Sequence, residues 1–286
     1  MLANVFHKLF LWLPFAYHHT TNGADWNYLT NGKTWTDLCA TGKQQSPIAF
    51  DIQKTLELKS PRIYFGNYNV QLKGPIFIKN NGHSIVMDIP ATINGQQPFI
   101  TGGRLKGRYL AKGLHFHWGS PNSNGSEHTI NNRRYDAEMH IVHRNCKYID
   151  IIDAAEKEDG LAVIGVLLEI VKEPIAIPSG LTKVINAVIK IHMDESNTTI
   201  PAGFSLDEMI GNVDHNDFLS YDGSLTTPFC HEAVSWTVFT QILPVSFSMV
   251  SKLWKLRDHW NNPMINNFRA IQDLNNRPVY HRCGRA

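Results

Sequence analysis

The hydrophobic residues of this chain fall mostly into short runs separated by Gly, Asn and Pro, a pattern typical of β-strands joined by turns. Helical spacing is found in two segments, 181–191 and 246–260, and neither alternates regularly with strands. This argues against a doubly wound α/β fold and favours a large, mainly antiparallel sheet with peripheral helices. The candidate strands are 83–89, 114–118, 137–145, 161–171 and 234–243.

The segment 161–171 (LAVIGVLLEIV) differs from the other candidate strands because it is apolar at both odd and even positions. A strand with one solvated face would alternate between apolar and polar residues. We therefore predict that this strand is covered on both faces by other parts of the fold.

Composition and charge narrow the classes of protein. The chain of 286 residues is 43% hydrophobic and 18% charged, which argues against a disordered chain and against a bundle of membrane helices. Lys and Arg number 27 against 25 Asp and Glu, so nothing favours nucleic acid or an anionic membrane as a partner. No segment resembles a linker, so we expect one domain with a large core.

The N-terminus has the order of a secretory signal peptide. A basic residue, Lys8, precedes a short apolar run (LFLWLPFA) that ends at the small residue Ala16. We therefore predict a signal peptide over 1–16, with a loosely packed apolar arm as the alternative. No apolar run reaches the roughly 18 residues that a transmembrane helix needs. Residues 277–286 contain no apolar run either, so we expect no membrane anchor.

The 14 histidines are the unusual feature of the composition, and they direct the search to metal-ligand spacing. In LHFHWG, His115 and His117 are two residues apart, so a strand presents both imidazoles on one face. Two imidazoles on a rigid strand can bind one metal ion. The alternative is two polar residues on a solvated strand face, and the pair alone does not decide between them.

A second strand could complete a metal site. In AEMHIV, Glu138 and His140 also share a face, and His140 becomes a third ligand if the two strands are neighbours. Three histidines leave the fourth tetrahedral position of zinc open, as in catalytic zinc sites, and Glu138 could accept a hydrogen bond from a ligand imidazole. Alternatively, Glu138 is half-exposed and pairs with Arg133 or Arg134, because periodicity cannot show that the strands are adjacent.

Three other segments carry weaker signals. Glu127 in GSEHT could orient a hydroxyl group near the metal, although a solvated loop glutamate is the commoner situation. SLTTP places the hydroxyls of Thr226 and Thr227 on a turn, which these residue types favour in any case. His83 follows the turn NNG, where an exposed histidine without a special role is the ordinary reading.

The four cysteines form no CxxC pair, which argues against a thiolate zinc cluster. A disulfide is expected if the chain is exported, and the sequence alone allows three pairings of four cysteines. In the same compartment, sequons at Asn124 and Asn197 would be candidate glycosylation sites. The cysteines are Cys39, Cys146, Cys230 and Cys283.

Eight segments between residues 26 and 277 carry a resemblance that none of them would carry alone. They are QQSPI at 44–48, NNGH at 80–83, HFHWGS at 115–120, GSEHT at 125–129, AEMHIVH at 137–143, GLAVIGVLLE at 160–169, SLTTP at 224–228 and NNFRAIQDLNNR at 266–277. Taken together and in this order, they closely resemble the α-class carbonic anhydrase family, and within it the exported members.

The resemblance implies a single domain around a central, twisted, mostly antiparallel sheet of about ten strands, with the metal at the bottom of a conical cleft. We expect this domain to span 22–280, between the signal peptide and a short tail over 281–286. The implied activity is the reversible hydration of carbon dioxide to bicarbonate and a proton, by attack of a zinc-bound hydroxide. Hydrolysis of activated esters would be a secondary activity.

The resemblance also implies a role for each site residue, and carbon dioxide, water and bicarbonate as the partners. A histidine shuttle suits proton transfer near neutral pH because imidazole has a pKa of about 6.5. The implied zinc ligands are His115, His117 and His140, the last held by Glu138. The implied catalytic residues are Thr226 and Glu127, which orient the hydroxide, and the proton shuttle His83. The implied substrate-binding residues are Thr226, Thr227, Val142, Val163, Leu225 and Trp236.

Exported members of the family have a disulfide at the positions of Cys39 and Cys230. The resemblance therefore implies this disulfide, together with a secreted or lumenal location. Cys146 and Cys283 match no family partner, and we expect them to be free thiols.

Three positions depart from the family pattern. Gly113 stands where many members have a glutamine that hydrogen-bonds the first zinc histidine, and Val86 replaces an asparagine-like residue of the cleft wall. Phe229 follows Pro228 where a second proline is usual. The three histidines are nevertheless intact, so we predict an active enzyme rather than a non-enzymatic extracellular binding protein that keeps the fold.

Overall fold

One mixed sheet of 13 strands organises the described part of the chain, and a sheet of two strands lies beside it. The computed structural model describes residues 26–172 and 176–284, so the predicted signal peptide lies outside it. The strands are β1 Ala49–Phe50, β2 Leu56–Glu57, β3 Ile63–Gly66, β4 Ile76–Asn80, β5 Ile85–Asp88, β6 Phe99–Gly102, β7 Tyr109–Trp118, β8 Thr129–Ile130, β9 Ala137–Asn145, β10 Leu161–Val171, β11 Asn197–Ile200, β12 Phe218–Gly223, β13 Val234–Phe239, β14 Leu243–Ser246 and β15 Tyr280–Arg282.

The helices are few and short, and two of them lie in the segments where the sequence predicts helices. α5 begins after Ser246, whose side chain accepts a hydrogen bond from the Met249 N–H and so caps the helix. The α-helices are α1 Leu38–Thr41, α2 Ile151–Ala155, α3 Ser179–Ala187, α4 Asp207–Ile210 and α5 Phe247–Leu253, and the 3₁₀ helices are Ile52–Lys54 and Val188–Lys190. Within the described ranges, every helix is too short or too polar to span a bilayer.

The strand order of the large sheet is β11-β4-β5-β7-β9-β10-β13-β12-β15-β2, with β14 beside β10, β6 beside β7 and β3 beside β6. Most pairs are antiparallel, but β10 runs parallel to β13 and β14, and β15 runs parallel to β2. The predicted mainly-β fold around one large sheet is confirmed. The sheet is mixed, however, and it contains 13 strands instead of about ten.

Each predicted strand or helix has a counterpart, although some boundaries move. The strand predicted at 114–118 begins earlier, at Tyr109, and the segment 234–243 divides into β13 and the start of β14. The helix predicted at 181–191 is α3 followed by a 3₁₀ turn, and the one predicted at 246–260 is reduced to α5.

The strand β10 is covered on both faces, as its apolar odd and even positions predict. Two separate hydrophobic clusters lie on the two sides of the sheet, and β10 contributes to both because successive side chains point in opposite directions. The larger cluster receives Ala162, Ile164, Val166 and Leu168, and the smaller one receives Leu161, Val163 and Leu167.

The same two-residue period places the histidines of β7. Leu114, Phe116 and Trp118 are buried in the larger cluster, so His115 and His117 point to the opposite side of the sheet. The burial of three large apolar side chains therefore fixes the orientation of the two imidazoles.

A β-bulge interrupts the pairing of β7 with β9 just before the histidines. Ala111 pairs with His143 and Gly113 pairs with Val142, so Lys112 is the additional residue. Beyond the bulge, regular antiparallel pairing continues from Gly113 to Trp118.

A disulfide joins Cys39 to Cys230, which are 191 residues apart, and confirms the pairing that the resemblance implies. The Cys146 and Cys283 thiols are free and exposed, also as expected. The sequon residues Asn124 and Asn197 are both exposed, and their glycosylation stays a prediction.

Candidate metal centre

Three histidine side chains converge where β7 and β9 run side by side. His115 pairs directly with His140, and His117 pairs with Glu138, so the adjacency that periodicity could not establish is present. One nitrogen of each imidazole lies within 4.8 Å of the others. His115 Nε2 and His140 Nδ1 are 3.2 Å apart, which identifies the nitrogens that face each other.

All three imidazoles are in the form that can bind a metal. Burial lowers the pKa of His115, His117 and His140, and the neighbouring histidines lower the pKa of His115 and His117 further. The pKa of His117 falls to about 3. The imidazoles are therefore neutral at physiological pH, with a free lone pair on one nitrogen each.

The nitrogen of His117 that faces this group lacks a hydrogen-bond partner in the part of the chain that the structure describes. His117 Nε2 is buried and, among the described residues, no group hydrogen-bonds to it; the nearest carboxylate oxygen, Glu127 Oε2, is 3.4 Å away and is also unpartnered. A buried polar atom without a partner is costly unless something absent from the protein chain occupies the position beside it. The donor set and this unpartnered nitrogen both fit a cation that prefers nitrogen ligands.

Two of the imidazoles are held by a hydrogen bond from the nitrogen that points away from the cluster. His117 Nδ1 donates to the backbone carbonyl of Asn267 at 2.8 Å, and His140 Nε2 donates to Glu138 Oε1 at 2.9 Å. These bonds fix the tautomer and leave the other nitrogen of each ring free to bind metal. For His115 Nδ1, the described chain supplies no such acceptor.

Glu138 is buried. The alternative interpretation, in which it is half-exposed and pairs with an arginine, is therefore wrong. Its carboxylate accepts the backbone N–H groups of Glu127 and His128 at 2.8 Å and the His128 side chain at 2.7 Å, besides that of His140. Burial by itself would raise the pKa of Glu138, but His128 and His140 together hold it well below its usual range. The carboxylate is therefore ionised and its oxygens are fixed.

The hydrogen-bond network continues from Glu138 towards the turn that carries the two threonines. His128 Nε2 lies 2.7 Å from the Tyr221 hydroxyl, which donates to Ser46 Oγ at 2.8 Å. Ser46 Oγ accepts the Ser224 N–H at 2.9 Å. The turn that begins at Ser224 is thus connected through buried polar groups to the carboxylate behind His140.

Glu127 is buried beside the histidines, not solvated on a loop. Its Oε1 accepts the backbone N–H of Arg269 at 2.7 Å. Burial raises the pKa of Glu127 to about 8, although the Arg269 N–H and the Thr226 hydroxyl act in the opposite direction. The structure thus brings Thr226 close enough to Glu127 to influence its ionisation.

The apolar residues implied to receive substrate lie together. Val142, Val163 and Trp236 are direct neighbours across β9, β10 and β13, and all three are buried in the smaller cluster, against which Leu225 packs. The Trp236 ring is in edge contact with the His140 ring, with ring centres 4.8 Å apart. An apolar surface therefore begins next to the three histidines.

The two remaining candidates lie at the edge of this arrangement. Thr227 is half-buried next to Thr226, and its carbonyl accepts the Cys230 N–H at 2.8 Å. His83 is half-buried, and its ring stacks on Trp26 with ring centres 3.7 Å apart. The Asn267 side chain donates to the His83 carbonyl at 2.9 Å, which ties this loop to the residue that holds His117.

Sequence reasoning assigned no role to several residues that hold the site together. They come from segments distant in the chain, and no local pattern marks them. All of them except Tyr221 lie inside segments that carry the resemblance, which was the available signal. The residues are Ser46, His128, Tyr221, Asn267 and Arg269.

Two further groups of metal-ligating side chains occur in the described residues. One shares His140 and consists of the hydrogen-bonded His128, Glu138 and His140. The other, Asp217, His281 and Cys283, lies at the end of β15, where His281 is already paired with Asp217 at 2.8 Å. Neither group has the unpartnered buried nitrogen found at His117.

Comparison with known proteins agrees with this geometry. The model of the eukaryotic-type carbonic anhydrase family matches residues 30–283. Human carbonic anhydrase 12 is 33% identical over 273 residues, which cover 91% of this chain and 73% of the human protein. Rat carbonic anhydrase 4 is 30% identical over 265 residues, which cover 91% of this chain and 82% of the rat protein. A Caenorhabditis elegans protein named as a carbonic anhydrase is 33% identical over 263 residues, which cover 90% of this chain and 97% of that protein. The chain belongs to the eukaryotic-type carbonic anhydrase family.

Proposed function

We propose that this carbonate dehydratase carries out the reversible hydration of carbon dioxide at a zinc ion held by His115, His117 and His140. The observation that carries the proposal is the convergence of three neutral imidazoles, two of them buried and that of His115 half-buried, around the unpartnered Nε2 of His117. Zinc fits because it binds imidazole nitrogen in tetrahedral geometry and, with three protein ligands, keeps one position for water. In carbonic anhydrases, the standard example of this effect, zinc lowers the pKa of that water to about 7.

Thr226 and Glu127 are proposed to orient the attacking water. If the Thr226 hydroxyl donates its proton to Glu127 Oε2, only its lone pairs remain to accept a hydrogen bond from the water. The unpartnered Oε2 and the effect of the Thr226 hydroxyl on the Glu127 pKa support this arrangement. Glu127 must be ionised for this role, and a divalent cation beside it favours that form.

Carbon dioxide has no net dipole, and the apolar surface beside the histidines suits it. Val142, Val163, Leu225 and Trp236 are proposed to bind it within reach of the nucleophile. The backbone N–H of Thr226 and the side chain of Thr227 are proposed to contact oxygen atoms of carbon dioxide or bicarbonate. Together these groups would place the substrate carbon towards the oriented water.

His83 is proposed to carry the released proton to buffer. Its ring is half-buried at the margin of the site and stacked on Trp26, which gives it a defined position with access to solvent. Proton transfer from the metal centre would pass through intervening water. Imidazole suits this step because its pKa is close to neutral pH.

Replacing His83 with Ala is expected to lower kcat for carbon dioxide hydration by about 100-fold or more in weak buffer, because a positioned proton-transfer group contributes about 10²- to 10⁴-fold. Zinc content should not change, because no ligand is removed. Added imidazole should restore most of the rate by carrying the proton from solution. Stopped-flow measurement at several buffer concentrations tests this; a variant that imidazole fails to rescue would argue against the shuttle role.

Secretion is proposed from three features that agree. The Cys39–Cys230 disulfide suits an oxidising compartment, the segment 1–16 has the pattern of a signal peptide, and the sequon residues are exposed. In this proposal the catalytic domain spans 22–280 with a tail over 281–286, although β15 continues to Arg282. Glycans at Asn124 and Asn197 would follow from passage through the secretory pathway.

The central test is the rate of carbon dioxide hydration by the purified mature chain before and after zinc removal. We expect one zinc ion per chain by elemental analysis and a rate that a strong chelator abolishes and added zinc restores. The same preparation should hydrolyse activated esters much more slowly. A chain that binds zinc but gives no chelator-sensitive hydration would contradict the proposed function.

A further inference from the structure

The three imidazoles of the metal centre are not held alike. His117 and His140 each donate a hydrogen bond from the nitrogen that points away from the cluster, at 2.8 Å and 2.9 Å. His115 turns Nε2 towards His140, so Nδ1 is the nitrogen that needs an acceptor, and no described residue provides one directly. The residue two positions before it, Gly113, has no side chain to offer.

A small cavity lies beside His115. Its volume is about 10 Å³, which is close to the space that one water molecule needs. Most of its lining residues are apolar, and Asp88 is the acidic residue among them. The lining residues are Val86, Met87, Asp88, Gly113, Leu114 and His115.

Strand pairing places Asp88 on the correct face of the sheet. In the β5–β7 pair, Val86 lies opposite His115 and Asp88 lies opposite Gly113. Directly paired residues project to the same face, so Asp88 is the diagonal neighbour of His115. Because the residue paired with Asp88 is a glycine, no side chain of Gly113 fills the space between Asp88 and His115, and one water molecule can bridge it.

The Asp88 side chain has no other hydrogen-bond or ion-pair role within residues 26–172 and 176–284. It is half-buried at the end of β5, and none of the described residues hydrogen-bonds to or ion-pairs with its carboxylate. Burial raises the pKa of Asp88, and no neighbouring group offsets that effect. A partly buried carboxylate gains from accepting a hydrogen bond, and a water molecule in the adjacent cavity would donate one.

We propose that Asp88 is a positioning residue for the metal centre, and that its carboxylate accepts the hydrogen bond of His115 Nδ1 through a single water molecule in the cavity beside Gly113. Through this water, Asp88 then supplies a hydrogen-bond acceptor for the third imidazole, as Asn267 and Glu138 do directly for the other two. It fixes the ring and the tautomer, leaving Nε2 free for the metal. This inference rests on the proposed function, because it assumes that His115 is a zinc ligand.

The test measures zinc affinity by competition with a chelator for the full mature chain and its variants. Asp88→Ala is expected to weaken zinc binding by about 10- to 100-fold, the usual effect of removing an outer partner of a ligand. Asp88→Asn keeps an acceptor oxygen and should lose much less. Asp222→Asn, at an exposed aspartate paired with Arg104, removes the same charge elsewhere and should leave the affinity unchanged.

A second substitution separates positioning from a general effect on folding. Gly113→Gln places an amide oxygen beside His115, so it should tighten zinc binding slightly in the wild-type background and restore most of the affinity lost in Asp88→Ala. Coupling of this kind between neighbouring sites is what a double-mutant cycle measures. The exchange rate of the His115 Nδ1–H with solvent, measured by NMR on the zinc-loaded chain, should rise in Asp88→Ala and fall again in the double variant.

The possible results are distinguishable. If the wild-type chain binds zinc tightly and Asp88→Ala binds it equally well, the role of Asp88 is wrong and the proposed function stands. A weaker affinity that Gly113→Gln does not restore, with unchanged Nδ1–H exchange, would also overturn it, because Asp88 would then act on the fold alone. If the wild-type chain binds no zinc, the proposed function itself fails.

Discussion

Replacing His117 with Ala is expected to remove the bound metal and abolish carbon dioxide hydration. His117 is fully buried, its Nε2 is the unpartnered nitrogen at the centre of the site, and its Nδ1 is already committed to Asn267. The two imidazoles that remain cannot complete a three-ligand site. The loss of zinc affinity should therefore exceed the roughly 10- to 100-fold that follows loss of an outer hydrogen-bond partner. Elemental analysis and stopped-flow hydration measure both effects.

Two further variants make this result interpretable. His192→Ala removes an exposed imidazole and should leave zinc content and rate unchanged. His117→Asn keeps a polar side chain at the buried position, so it guards against a fold that fails because of a cavity. If a folded His117 variant keeps stoichiometric zinc and the wild-type rate, His117 is not a ligand.

Removing the disulfide is expected to lower the free energy of unfolding by about 5 kcal/mol, as the chain-entropy model gives for a loop of this length. The bond closes 191 residues of chain, so it restricts the unfolded state strongly. Because domains are stable by only about 5–15 kcal/mol, the double variant Cys39→Ala/Cys230→Ala should unfold at much lower urea concentration. Equilibrium denaturation of both proteins measures the difference.

The free thiols supply the matched control for that experiment. Cys146→Ala and Cys283→Ala each remove an exposed cysteine that closes no loop, and both should unfold like the wild type. The disulfide also lies next to the catalytic turn, since the Cys230 N–H donates to the Thr227 carbonyl and the Cys230 carbonyl accepts from Gln45. We therefore expect kcat to fall as well. A change in stability below about 1 kcal/mol would contradict the role assigned to the bond.

The alternation of side chains along a strand, with a period of two residues, predicted the parts of the site that lie within a single strand. His115 and His117 share a face, Glu138 and His140 share a face, and 161–171 is buried on both sides, all from the spacing of residues in the sequence. Such arguments work because a strand leaves its side chains only two directions. Spacing could not decide that β7 and β9 are neighbours, which depends on the whole sheet.

The residues behind the ligands could not be predicted from the strand patterns. Asn267 holds His117 from a segment without regular structure, and Arg269 donates its backbone N–H to Glu127 from the same segment. Backbone groups act in both contacts, and backbone groups carry no sequence signal. Two alternative interpretations, a solvated Glu127 and a half-exposed Glu138, were wrong for the same reason: buried N–H donors from other segments stabilise these carboxylates.

The bulge residue Lys112 divides β7 into two segments, and which side chains point to which face of the sheet is set separately in each segment. A strand without such a break transmits any insertion or deletion along its whole length, and a shift of one residue turns every side chain to the opposite face. Here the bulge separates the outer segment, Tyr109 to Ala111, from the segment Gly113 to Trp118 that pairs regularly with β9. A shift of register confined to the outer segment would therefore disturb the core around Tyr109 and Ala111 without rotating the imidazoles into it.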